Sequence, residues 1–139
     1  MTFITWHDAL FGIGVKKIDD QHKKILELIN ILHDSLHRGD GNSEMGEILK
    51  ELVDYIKYHF SEEEKLMAES SYPDVEAHCV LHVKFTRHVV SVLLRLRNQQ
   101  EVSIYELLSF LLDWWNEHIV RVDKKIGKYL AARKARISG

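Results

Sequence analysis

Four stretches of this chain repeat apolar residues at alternating spacings of three and four, and every stretch interrupts its own stripe with histidine. That spacing marks a helix with one buried face. The first stripe reads Ile18, His22, Ile25, Ile29, Leu32, Leu36, and the second Ile48, Leu52, Ile56, His59, Glu63, Leu66. The third reads Val75, His78, His82, Phe85, Val89, Val92, Leu96, and the fourth Ile104, Leu108, Leu111, Trp115, His118. The predicted helices span about 19–38, 43–69, 74–97 and 103–119. Breaks fall at Gly39-Asp40-Gly41-Asn42, at Ser70-Ser71-Tyr72-Pro73-Asp74 and at Asn98-Gln99-Gln100. Pro73 is placed to open a helix, and Asp74 and Glu76 suit its positive end. Ser103 and Glu106 form a capping-box pattern. Amphipathic helices joined by such short connections pack as an antiparallel up-and-down four-helix bundle. An irregular arm (1–17), carrying Gly12 and Gly14, precedes the bundle (19–119), and a short basic helical segment (122–135) follows it. Residues 1–139 therefore read as one all-α domain.

Composition removes several alternatives. The 139 residues are 45% apolar and 29% charged, a globular balance rather than a disordered one. A net charge of −2 supplies no bulk field for nucleic acid or an anionic membrane. The tail Arg133-Lys134-Ala135-Arg136 reads as a solvated helix end. One cysteine excludes a disulfide framework and a Cys-rich zinc site, and Cys79 reads as a small buried apolar residue. The apolar runs Val89–Leu94 and Leu107–Leu112 end at Arg95 and Asp113, short of the ~18–20 residues of a membrane span. Trp6, His7 and Asp8 stand where a secretory signal needs a charged start and an apolar block, so a cytoplasmic location is expected.

The interruptions carry the chemistry. His22, His59, Glu63, His78, His82 and His118 occupy core positions, where unpaired imidazoles and carboxylates are costly. His59/Glu63 and His78/His82 are i,i+4 pairs, about 40° apart around a helix and about 6 Å along it. Both members of each pair can reach one site. His22 lies near the start of the first helix, His59 and Glu63 near the end of the second. His78 and His82 lie near the start of the third, and His118 near the end of the fourth. Antiparallel packing puts all of these at one end of the bundle, in one layer, where a metal would take the lone pairs and balance the charge. His33 and His37 are also i,i+4 but lie off the stripe, so they read as solvated flank residues. His88 is off its stripe and His7 is in the arm.

These residues resemble those of the hemerythrin family, in particular the single-domain bacteriohemerythrins. The matching motifs are Asp19-Asp20-Gln21-His22-Lys23, His59-Phe60-x-x-Glu63-Glu64-x-x-Met67, His78-x-x-x-His82 and His118-Ile119-x-x-x-Asp123, in order along nearly the whole chain. Trp6 fits the family's N-terminal arm. The resemblance implies a seventh ligand, Asp123, that periodicity does not supply. Five residues past His118, it points about 140° away on an α-helix, so the fourth helix is expected to break or turn between Ile119 and Val122. The resemblance further implies two non-heme irons, cycling between ferrous and ferric. His78, His82 and His118 would hold one and His22 and His59 the other. Glu63, Asp123 and one oxo or hydroxo group would bridge them. The donor count of two octahedral irons then leaves one position open, on the iron with two histidines. Dioxygen binds reversibly there in the family, and small anions such as azide compete. A dry pocket is needed, for which Ile25, Phe60, Trp114, Trp115 and Ile119 are candidates, beside ordinary core packing.

The reading is therefore dioxygen carriage, storage or sensing rather than an enzyme. A ferritin-like oxidase would show Glu-x-x-His twice, and a zinc hydrolase His-Glu-x-x-His; the chain has neither. A di-iron enzyme acting on peroxide, nitric oxide or an oxidisable substrate, and an iron store or sensor, remain the alternatives. One departure from the family stands out: its bacterial members carry Trp-Leu where this chain has Trp114-Trp115. On an α-helix Trp115 shares the stripe of His118 and points toward the ligand layer. It is expected either to gate the oxygen pocket or to tilt away and pack between helices.

Overall fold

A computed structural model describes residues 3–38 and 41–138. Helix α1 (Asp8–Phe11) is one turn within the arm, followed by α2 (Lys16–Arg38), α3 (Gly41–Glu69), α4 (Val75–Arg97) and α5 (Ile104–Asp113). A π-helical segment (Trp114–Val122) continues α5 directly into α6 (Asp123–Ser138). Among the described residues there is no strand, and no helix is long and apolar enough to cross a membrane. Of the break at residues 39–42, Gly39 and Asp40 lie outside the described residues, while Gly41 and Asn42 already belong to α3.

The stripes bury as the four-helix bundle requires. α2 packs on α3 and α5, and α3 on α4. Leu28, Ile29, Leu32, Leu49, Leu52, Val89 and Leu111 are fully buried between them. Each such side chain stabilises the fold by about 1.5–3 kcal/mol relative to exposure. A second, smaller cluster of Met67, Tyr72 and Ile126 closes the far side of the bundle end. Along α3, His59 and Glu63 fall between Ile56 of the main core and Met67 of this second cluster.

Two local expectations are corrected and one is refined. The fourth helix leaves α geometry before Asp123 as expected, but by widening into the π segment Trp114–Val122 rather than by a break, and the C-terminal helix α6 (Asp123–Ser138) continues from it. Ser103 Oγ does accept the Tyr105 N–H, but Glu106 does not complete a capping box. Its carboxylate takes two hydrogen bonds from Arg95 of α4 at 2.9 and 3.2 Å, where charge assistance outbids a local backbone contact. Nor is the tail wholly solvated, because Arg133 and Tyr129 donate to the Ser70 carbonyl and hold α6 against the α3–α4 turn.

The arm is tied down rather than loose. Asn30 exchanges two hydrogen bonds of 2.9 Å with the backbone of Ile4, and Asp19 accepts the Ile13 N–H at 2.9 Å. Ile13 approaches α6 so closely that a Cβ on Gly127 would overlap its carbonyl, so only glycine fits there. The arm thus lies across the π segment, beside the bundle end that carries the histidines.

Candidate metal centre

The structure brings His22, His59, Glu63, His78, His82, His118 and Asp123 into one buried layer, none more than 3% exposed. α2 supplies His22, α3 supplies His59 and Glu63, and α4 supplies His78 and His82. His118 lies in the π segment and Asp123 opens α6. The Asp123 N–H bonds to the His118 carbonyl, an i→i+5 closure. That ladder returns the fifth residue over the first, which an α-helix cannot do. The local unwinding is therefore what sets Asp123 on the same face as His118.

Two groups share the layer. One is Glu63, His78, His82, His118 and Asp123; the other is His22, His59, Glu63 and Asp123. Within each, the candidate ligand atoms lie inside 4.8 Å of one another. Both carboxylates divide their oxygens between the groups. Glu63 Oε2 lies 3.1 Å from His59 Nε2 and 3.6 Å from His22 Nε2, and Asp123 Oδ2 lies 3.0 Å from His22 Nε2. Glu63 Oε1 lies 2.7 Å from His78 Nε2 and 3.0 Å from His82 Nε2. Asp123 Oδ1 lies 3.0 Å from His78 Nε2 and 3.1 Å from His118 Nε2. One oxygen of each carboxylate thus faces each group.

The electrostatics show a site built around positive charge. Burial opposes the cation at His22 and His78, but the negative charge of the adjoining Asp123 and Glu63 carboxylates prevails and raises both to about 9. Burial dominates instead at His59 and His118 and lowers them. Burial pushes the Glu63 carboxyl up, yet the surrounding histidines hold it well below its usual range. Asp123 is likewise held down by His118 and His22 against burial and the Glu63 charge. Even so, His22 Nε2, His118 Nε2, Glu63 Oε2 and both Asp123 oxygens make no hydrogen bond among the described residues. Orphaned buried atoms cost about 1–3 kcal/mol each. Cations that accept all these lone pairs would turn the cost into binding energy. The all-imidazole and carboxylate donor set suits zinc, copper, nickel or iron.

A surrounding shell fixes the rings. His59 Nδ1–H donates to Gln21 Oε1 at 2.6 Å, and His82 Nδ1–H donates to Glu64 Oε2 at 2.8 Å. Each bond leaves Nε2 free to face inward. Phe60 lies flat on His82 at 3.8 Å and 1°, and Trp114 on His118 at 3.7 Å and 8°. Tyr55 lies on His59 at 4.8 Å and 17°. Gln21 and Glu64 adjoin the motif residues His22 and Glu63, but periodicity alone gives them no role. Tyr55 stands one helical turn before His59, a spacing legible as a contact although its aromatic ring reads as core.

The other candidates separate. Ile25 and Ile119 are fully buried in the main core, with Phe60 close behind. Trp115 is also buried, but its edge contacts are with Phe11 at 5.0 Å and Trp6 at 6.3 Å, both from the arm. Of the two outcomes expected of Trp115, gating the pocket or packing away from it, these contacts fit the second. Trp114, four residues before His118, lies on that ring instead. His33 and His37 join neither group; His37 is exposed, while His33 is half-buried against Phe3 rather than solvated. His88 stacks on Phe110 at 3.8 Å, and His7 is exposed. Cys79 is half-buried and stands outside both groups.

Fold and site together define an all-α bundle with a buried imidazole and carboxylate layer fit for cations. Residues 13–130 match the family described as the Hemerythrin HHE cation binding domain. The chain is 36% identical over 132 residues to a bacteriohemerythrin of Methylococcus capsulatus, covering 95% of this chain and 100% of that one. It is 38% identical over 119 residues to a bacteriohemerythrin of Pseudomonas paraeruginosa, covering 86% of this chain and 76% of that one. A crystal structure of wild-type hemerythrin superposes with a TM-score of 0.82 at 35% identity, over 92% of this chain and 98% of the other. The chain belongs to the hemerythrin family.

Proposed function

We propose that the chain binds dioxygen reversibly at a pair of non-heme irons, for carriage, storage or sensing. The observation that carries this reading is the division of carboxylate oxygens, one from each of Glu63 and Asp123 toward each histidine group. Two carboxylates so placed suit bridging between two cations. His22 and His59 would hold one iron, and His78, His82 and His118 the other, with an oxo or hydroxo group as the third bridge. Bound iron supplies the reversible electron transfer that dioxygen binding needs. The protein's part is to fix the donors and keep the site dry. Gln21 and Glu64 set the inward tautomer of His59 and His82. Phe60, Trp114, Ile25 and Ile119 surround the layer with apolar surface. The seven residues are buried, none more than 3% exposed. A buried site of this kind favours a diatomic ligand or a small anion such as azide over a bulky substrate. The relatives named above are bacteriohemerythrins, which supports the same reading.

The test joins metal analysis to anaerobic spectroscopy. Protein from iron-replete cells is expected to hold two irons per chain. After reduction it should develop a visible charge-transfer band with dioxygen that disappears on evacuation and returns on re-exposure. One iron, zinc alone, or irreversible bleaching with turnover would overturn the proposal; the last would favour an enzyme.

A further inference from the structure

Tyr55 carries a hydroxyl that packing does not explain. The residue is 6% exposed, and its Oη finds no hydrogen-bond partner among the described residues. Its ring lies on the His59 imidazole. In the other half of the layer the same covering job is done by side chains with no such hydroxyl, Phe60 on His82 and Trp114 on His118. Phenylalanine at position 55 would keep the ring contact and the volume without stranding a polar atom. His59, on which the ring lies, belongs to the group with two histidines rather than three. That half has fewer protein donors, so an incoming ligand has its place there.

We propose that the Tyr55 hydroxyl donates a hydrogen bond to the small ligand held in the His22/His59 half of the centre. The proposal rests on the di-iron reading. The ligand class is a compact acceptor: dioxygen that has drawn electron density from the centre, or an anion such as azide. The phenol keeps its proton throughout, and no bond to Tyr55 forms or breaks. Its part is positioning and retention, since donating to the acceptor slows the ligand's departure. A hydrogen bond of ordinary net strength corresponds to a factor of about three to ten in that rate.

The variant Tyr55→Phe isolates the oxygen atom. Parent and variant, both iron-loaded, are compared by iron content, dioxygen dissociation in stopped flow, azide affinity of the oxidised form, and the azide stretch in light and heavy water. Thermal unfolding is compared on the metal-free proteins. The expected result is two irons in both and a metal-free variant as stable as the parent or more so. Dioxygen should leave the variant about three to ten times faster and azide should bind more weakly by a similar factor. The deuterium sensitivity of the azide stretch should be present in the parent and absent in the variant. Unchanged dissociation and azide affinity at full iron loading would overturn the proposal and leave Tyr55 hydrogen-bonded to solvent or simply packed. Loss of iron from the variant would overturn it too, by making Tyr55 a support of the metal ions rather than of their ligand. A parent without two irons or a reversible band would defeat the underlying reading, and this one with it.

Discussion

The two halves of the layer use the same donor chemistry but are backed differently. In one, His78 and His82 come from adjacent turns of α4, and His118 joins them from the π segment. His82 is backed by a carboxylate, Glu64, and the rings are covered by Phe60 and Trp114. In the other, His22 and His59 come singly from α2 and α3. There the backing is a neutral amide, Gln21, and the cover is a phenol. A carboxylate partner raises the basicity of an imidazole more than an amide does. On the di-iron reading, the three-histidine half would hold its ion and the two-histidine half would leave room for exchange. Glu63 and Asp123 join the halves into one unit.

That joining sets the largest expected effect. Replacing Glu63 or Asp123 with alanine removes an oxygen from both halves at once. It also leaves buried positive charge unbalanced, at a cost of about 3–5 kcal/mol when one partner of a buried pair is lost. Iron content and thermal midpoint are expected to fall together, because metal binding is linked to folding. Iron per chain and calorimetry on the same preparation check this. A variant that keeps two irons and full reversible binding would show that its carboxylate does not join the halves.

Protons test whether the halves balance in the metal-free state. His22 in one half and His78 in the other are raised from 6.5 to about 9 by the carboxylates, so the folded chain holds their protons more tightly than the unfolded chain. Their stabilisation is complete below pH 6.5 and is lost as pH rises through about 9. His59 and His118 are lowered, so their contribution is present above 6.5 and lost as pH falls below it. The depressed Glu63 and Asp123 likewise act against acid. The metal-free midpoint is expected to peak near pH 6.5 and to decline toward pH 9. Iron-loaded protein should not show that alkaline decline, since the ions take the places of those protons. Thermal unfolding from pH 5 to 9 with and without iron checks it; matching profiles would mean that the protons and the ions do not compete.

The bundle and most of the layer were legible because both rest on helical period. Burial at three- and four-residue spacing gives the stripes, and a histidine inside a stripe has nowhere to point but inward. Asp123 was not legible that way. Its position depends on the π ladder from His118, and nothing in the spacing of Trp114–Val122 announces a widened turn. The family resemblance supplied the residue, and the structure supplied the reason. For Trp115 two placements were open on the sequence, and its contacts with Phe11 and Trp6 fit packing rather than gating. Gln21, Glu64 and Tyr55 belong to a second tier of contact, set by how α2, α3 and α4 rotate against each other, and one helix's period does not contain that. The arm's hydrogen bonds to Asn30 and Asp19 escape for a similar reason, being backbone to side-chain contacts with no pattern along the chain.

Exchanging the backing groups should give the smallest effect, and the most direct test of the comparison. Glu64→Gln makes the partner of His82 neutral, and Gln21→Glu gives His59 a charged one. Both keep the length of the contact, 2.8 Å and 2.6 Å in the parent, within reach of the new side chain. Changes to the partner of a metal-bound histidine alter affinity about 10- to 100-fold. Glu64→Gln is therefore expected to weaken iron retention against a chelator by a factor in that range. Gln21→Glu should strengthen retention in its own half, and by favouring the more positive ferric ion it should also hasten autoxidation. Both variants lie outside the layer's direct donors, so two irons per chain and an unchanged fold by circular dichroism are expected before any challenge. Opposite shifts in chelator-driven iron loss would establish that the charge of the backing group, rather than the number of histidines, makes one half hold and the other exchange. Equal losses in both variants would mean that Gln21 and Glu64 merely orient their rings, and the asymmetry would then rest on histidine count alone.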